Sequence, residues 1–250
     1  MIRIKSKDEI AKIRRSCRLL AETFLELNKI VKQGITTKEL DNFARKYIES
    51  HGGKPAFLGY MNYPASLCVS INDEVIHGIP GKRRLKKGDI VSLDLGINLE
   101  GYFSDAAITV PVGDLPERKS ELIRVTEESL YKGIEKAVAG NRISDISYAV
   151  FNHAKKYGFG VVRQYCGHGV GLAPHEDPQI PNYPSSGPNP KLKEGMVIAI
   201  EPMITMGTWE VKVLKDQWTV ITADGKDAAH FEHTVVINKN GAEILTELHD

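Results

Sequence analysis

Apolar residues recur three or four positions apart near the start of the chain: Ile10, Ile13, Cys17, Leu20, Phe24, Leu27 and Val31. That period places them on one face of a helix. Ser6 and Glu9 supply a capping box, so the spacing predicts a helix over about 7–33, ended by Gly34. Thr36 with Glu39 opens a second helix to about His51, where Gly52-Gly53 stops it. The period then changes from 3.6 to 2. SLCVSI at 66–71 reads as a strand. Beyond it Val91, Leu93, Leu95 and Ile97 alternate with Ser92, Asp94, Gly96 and Asn98; turn residues at 98–101 follow, then a returning strand from Tyr102 to Val110. With the turn centred between Leu99 and Glu100, Asp94 and Asp105 face each other across the hairpin. Like charges so placed destabilise a sheet unless something holds them.

A related series follows. Pro116 suits the first position of a helix running to about Ala139, and Ser144 is expected to cap another helix to Tyr157. Strand-like segments come next at 159–165, 196–205, 218–222 and 228–237. A glycine-rich GHGVG and a proline-rich loop at 174–190 separate the first two, and Asn240-Gly241 turns the chain into a last short strand. The two series align: LKKGDIVSLD (85–94) matches LKEGMVIAIE (192–201) without a gap at an offset of 107, and GITTKEL (34–40) matches GNRISDI (140–146) at 106. The expected architecture is an α+β pseudo-twofold, a single domain of two related halves, about 5–115 and 116–250. Asp94 and Glu201 fall at equivalent positions and should converge on a shared centre.

Composition narrows the function classes. The chain has 250 residues, 42% hydrophobic and 26% charged, ample for a large core. A formal net charge of +1 gives no field that recommends nucleic acid or an acidic membrane as a partner. The short run KRRLKK at 82–87 reads as a solvated turn. Cys17, Cys68 and Cys166 form no CxxC pair and no disulfide framework, which fits a reduced, cytoplasmic location. The start, MIRIKSKDEI, lacks the apolar centre of a secretion signal, and no run of about 18 apolar residues offers a membrane span.

The acids carry the candidate chemistry. Glu201 ends the apolar run MVIAI and Glu232 sits in AAHFEHTVVI, so both are expected to be buried, where an unpartnered carboxylate is very costly. With Asp94 and Asp105 they make four central acids with few basic residues on neighbouring strand positions. A divalent metal answers that charge. Oxygen ligands with one or two imidazoles favour Mn, Fe, Co or Zn without choosing among them, and four carboxylates suit a binuclear centre. Among the histidines, His168 stands between Gly167 and Gly169, where small flanks let a ligand approach the backbone; His175 follows Pro174, and His77 lies in VIHGIPG. His51, His153, His230, His233 and His249 read as structural or surface residues.

NDEVIHGIPG, the Asp94–Asp105 spacing, CGHGVGLAPHEDP, IEPMI and FEHTVV together resemble the type I methionine aminopeptidases, of the pita-bread metallopeptidase fold, over essentially the whole chain. The short N-terminus is similar to the bacterial form. The resemblance implies a curved antiparallel sheet with helices on its outer face and five metal ligands, Asp94, Asp105, His168, Glu201 and Glu232, with Asp105 and Glu232 bridging two divalent ions. It implies active-site roles for His77 and His175, with Glu201 also a general base, and a methionine pocket containing Tyr60, Tyr63, Cys68 and Trp218. Phe57 and Pro174 depart from the residues usual at that pocket's edge. The implied reaction removes the N-terminal methionine of nascent proteins and peptides when the second residue is small. The implied enzyme is a cytoplasmic monomer, with the ribosome as a candidate partner. Xaa-Pro peptidases share the fold and ligands, and other relatives are non-catalytic binding modules.

Overall fold

The computed structural model describes residues 1–248, so His249 lies outside the described residues. Among the described residues four α-helices form: α1 (Lys7–Ile30), α2 (Thr37–Ser50), α3 (Glu117–Ile134) and α4 (Ile143–Lys156). Both predicted capping boxes are made, Ser6 with Glu9 and Thr36 with Glu39. α2 starts at 37 and ends at 50, α4 at 143 and 156, which is the sequence offset of 106 at both ends. Ser144 is not the cap of α4. Arg142 stands there, its N–H donating to Asp145 Oδ2 at 2.7 Å, and Ser144 in the first turn instead exchanges hydrogen bonds with the Asn189 side chain. α1 and α3 stop short of the predicted ends, and tight turns through Lys136 and Ala137 finish the second of them.

The predicted hairpin forms as Ile90–Leu99 against Tyr102–Pro111, with a different register. Glu100 (φ 55°) and Gly101 (φ 87°) both take the left-handed conformation, the requirement of a two-residue turn whose twist matches the strands. Leu99 therefore pairs with Tyr102, Asp94 with Ala107, and Asp105 with Gly96. The two acids are diagonal neighbours on one face, two positions off the direct opposition expected from the sequence. Lys54–Pro55 and Cys68–Ile71 both pair with the other edge of Ile90–Leu99.

In the second half the order across a five-stranded sheet is Gly241–Ile244, His233–Asn238, Val197–Ile200, Gly167–Gly169, Glu176–Ile180. The last of these strands lies in the segment expected to be loop. Both long predicted strands are broken. The one over 196–205 stops at Glu201-Pro202, since proline cannot donate to a ladder, and resumes as Met203–Thr205; the one over 228–237 breaks at Phe231-Glu232. The segments over 159–165 and 218–222 shrink to Gly160–Val161 and Val220–Thr222.

Each half has its own core. Leu20, Leu27, Leu40 and Ile48 of α1 and α2 pack on Val69, Leu93, Leu95 and Ile97; Leu130, Ile134, Ile146 and Val150 of α3 and α4 pack on Ile198, Ile200, Val235 and Ile237. The helices thus cover the outer faces and leave the inner faces to meet at a seam. There Ala107 and Glu232 exchange backbone hydrogen bonds, and the Thr109 and Thr234 hydroxyls bond to His230 and Asp105 backbone across it. Two of the four acids, Asp105 and Glu232, lie on this seam. Among the described residues no helix is long and apolar enough to cross a membrane.

Candidate active site

All eleven residues singled out from the sequence line one cavity of about 230 Å³, and Phe57 and Met61 complete its wall. Its floor is acidic. Asp94, Asp105 and Glu232 bring carboxylate oxygens within 4.8 Å of one another; His168, Glu201 and Glu232 form a second such group, and Asp105, His168 and His175 a third. Asp105 and Glu232, one from each half, each belong to two groups. The convergence of Asp94 and Glu201 expected from the repeat therefore occurs around those two shared acids.

Burial makes this floor unstable by itself. Asp94 Oδ1, Asp105 Oδ1 and Glu232 Oε1 are buried with no hydrogen-bond partner among the described residues, and no lysine or arginine there pairs with any of the four acids. Burial raises Asp94 to about 7. Burial pushes Asp105, Glu201 and Glu232 well above the usual carboxylate range too, with repulsion among the four carboxylates adding to it. His168 donates Nδ1–H to the Gly169 carbonyl at 2.9 Å, which leaves Nε2 as a lone-pair donor 3.6 Å from Glu201 Oε1 and 3.8 Å from Asp105 Oδ2. Burial first, then His175, lowers His168 to about 3, so it is neutral and able to ligate. Orphaned hard oxygens beside an oriented imidazole are the donor set of a divalent cation, and the residues fit one.

The glycines beside His168 serve packing, contrary to the expected ligand approach. A Cβ at Gly167 would meet the Ala199 carbonyl at 2.3 Å, and one at Gly169 the Asp177 carbonyl at 2.3 Å. They let three strands close around the histidine.

The opposite wall is aromatic. Tyr63 and Trp218 meet edge to face at 5.0 Å, with Cys68 buried beside them and Phe57 closing the cluster. Cys68 pairs with Asp94 across the ladder, which ties this wall to the acidic floor. His77 sits at φ 59°, a strained conformation for a non-glycine residue, edge-on to Trp218 and Tyr165; burial lowers it to about 4. His175 stands at the exposed mouth, stacked on Tyr60 at 5.3 Å and 4.2 Å from the His168 ring. Pro174 is not part of the cavity wall.

Two neighbours were missed. His230, set aside as structural, has Nε2 3.7 Å from Glu201 Oε2, and both of its ring nitrogens are buried without partners. The signal was available, since His230 and Glu232 are two apart in a strand-like segment and so share a face. Asn182 donates to the Glu201 carbonyl at 2.9 Å from within the proline-rich loop, and no sequence pattern marked it.

Residues 11–239 match metallopeptidase family M24. The chain is 52% identical over 246 residues to a methionine aminopeptidase of Clostridium perfringens, covering 98% of this chain and 99% of that one. A solved methionine aminopeptidase from Thermotoga maritima superposes with a TM-score of 0.97 at 45% identity, covering 99% of this chain and all of that one. A prolidase from Pyrococcus furiosus is more distant, with a TM-score of 0.81 and 28% identity, and the chain spans 66% of its length. The shared pita-bread architecture, the acid-and-imidazole floor and full-length identity of this size lead to one conclusion: the chain belongs to metallopeptidase family M24 and, within it, to the methionine aminopeptidases.

Proposed function

We propose that this chain is a methionyl aminopeptidase that hydrolyses the first peptide bond of polypeptides beginning with methionine when the second residue is small. The observation that carries the reading is one cavity that joins an unpartnered acidic floor to an aromatic wall. Asp94, Asp105, His168, Glu201 and Glu232 would hold two divalent ions (Mn, Fe, Co or Zn). When bound, divalent metal supplies Lewis acidity and makes a water acidic enough to attack at neutral pH.

The residues then divide the work. Glu201 takes the attacking water's proton. His175, whose pKa burial lowers, is neutral and donates its N–H to the oxyanion developing at the scissile carbonyl. His77, neutral for the same reason, orients the backbone of the second residue. Tyr60, Tyr63, Cys68 and Trp218 enclose the methionine side chain, whose sulfur gains from aromatic edges. The physiological substrates are nascent polypeptides and Met-initial peptides. The whole chain acts as one catalytic domain, a monomer in the reducing cytoplasm, where Cys17, Cys68 and Cys166 stay free thiols, with access to chains leaving the ribosome.

The test is hydrolysis of Met-Ala-Ser and of Xaa-Pro peptides by chelator-treated protein reloaded separately with Mn, Fe, Co and Zn. Met-Ala-Ser should be cleaved and Xaa-Pro peptides spared. Cleavage of proline peptides alone would move the chain to the prolidase side of the family. No cleavage with any metal would leave a binding module.

A further inference from the structure

His175 is held differently from the other histidines of the cavity. It projects from a loop at the exposed mouth, and no hydrogen bond from the described residues fixes its ring; the Tyr60 stack and the His168 ring lie against it, and a ring nitrogen comes within 4.8 Å of an Asp105 carboxylate oxygen. What is fixed is the loop beneath it. Glu176, the next residue, turns its carboxylate inward: Oε1 accepts the backbone N–H groups of Leu172 (2.7 Å) and Ala173 (3.1 Å), and Oε2 accepts Lys5 Nζ at 2.9 Å. Both charged side chains are buried, at 1% and 5% exposure, and the partners are 171 residues apart in sequence.

The lysine comes from the arm that precedes α1. Its backbone N–H donates to the Gly195 carbonyl, and its aliphatic stem runs past Gly171, where a Cβ would lie 3.4 Å from Lys5 Cε. Gly171 in turn accepts the Phe103 N–H from the hairpin that carries Asp105. A buried ion pair is weak evidence of net stability, because desolvation offsets much of the Coulomb attraction. Its geometry, however, is strict. A carboxylate accepting two backbone N–H groups and one ammonium has little freedom to rotate, and here it closes the bend over 171–175 whose last residue is His175.

We propose that Lys5 and Glu176 are positioning residues for the reaction: the N-terminal arm locks the 171–176 loop from below and thereby sets where the His175 ring meets the scissile carbonyl. The proposal rests on the role given to His175 under Proposed function. Small displacements of a reacting group cost much rate, so Lys5→Met should lower kcat for Met-Ala-Ser about tenfold or more, with KM and bound metal unchanged. Lys5→Arg, which keeps charge and donors, should restore most of it. In metal-free protein, hydrogen exchange at the Leu172 and Ala173 amides should quicken in Lys5→Met while exchange in α3 and α4 stays as in the parent. Should Lys5→Met fold poorly, Lys5→Gln, which keeps a donor without the charge, carries the same comparison.

The deciding measurement repeats Lys5→Met in a His175→Ala background, where it should have no further effect on kcat. A Lys5→Met chain with parental kcat, or a loss that persists undiminished without His175, overturns the proposal. If His175→Ala itself keeps parental kcat, the role of His175 is what fails, and positioning it has no object.

Discussion

The two halves of the molecule supply acids to the same centre by different means. Asp94 and Asp105 stand on an unbroken hairpin, so their spacing follows from the ladder register and one two-residue turn. Glu201 and Glu232 stand where strands end, and long-range contacts hold both in place: Asn182 on the Glu201 carbonyl, and the reciprocal Ala107–Glu232 pair across the seam. The first half sets its pair by local geometry. The second sets its pair by tertiary contact, and only the assembled domain puts Asp105 and Glu232 in common between the donor groups.

That contrast is open to test. The largest effect is expected at the shared acids: Asp105→Asn or Glu232→Gln should abolish turnover and leave no tightly held metal after dialysis. Asp94→Asn, which touches one donor group, should retain part of the metal. Equal metal loss in all three would erase the distinction between shared and single acids. Glu201→Ala should cut kcat by roughly a hundred- to ten-thousandfold even with added metal, the range for loss of a general base.

The next effect is one of pH. In metal-free protein the four buried carboxyls hold protons to higher pH when folded than when unfolded. They have no effect on stability below about pH 4, where both states are protonated. Stability then falls as pH rises through the folded values, about 7 for Asp94. The slope is up to ~1.4 kcal/mol per pH unit for each carboxyl that must ionise. His77, His168, His230 and His233, which desolvation lowers to about 3 or 4, act in the opposite sense up to their unfolded value of about 6.5. Above that value the acids act alone. The Tm of metal-free protein should therefore fall from pH 6.5 to pH 8, and saturating Mn should remove most of the fall; a Tm flat over that window would mean the acids are paired by some other route.

The smallest effect belongs to the turn. Gly101→Ala puts a Cβ on a left-handed residue at a cost of about 1–2 kcal/mol, read as a lower midpoint in urea. If kcat at saturating metal stays parental, register is held by the strands around the hairpin; a drop in kcat would show that the turn itself spaces Asp94 from Asp105.

Much of this was legible in the chain because period and capping are local. α1 and α2 begin at their capping boxes, and the repeat offset of 106 reappears in the bounds of α2 and α4. Less legible were features in which one residue serves two masters. Asn98 to Gly101 offered several turn geometries, and only positive φ at both Glu100 and Gly101 selected the observed register. MVIAIEPMIT has one hydrophobic pattern but two strands, since Pro202 breaks the ladder and Glu201 faces the cavity. His230 looked like an ordinary strand residue because its neighbour across space, Glu201, is 29 positions away.

By itself the sequence determined which residues could carry the chemistry, since side-chain identity, spacing and the internal repeat are written along one dimension. The tertiary structure decided which oxygens are left unpaired, which acids are common to two donor groups, and what holds His175. Burial and orientation are properties of many segments at once: the carboxylates whose repulsion adds to burial at Asp105 come from both halves, and the Glu176 carboxylate that pins the loop before His175 finds its ammonium 171 residues away, at Lys5.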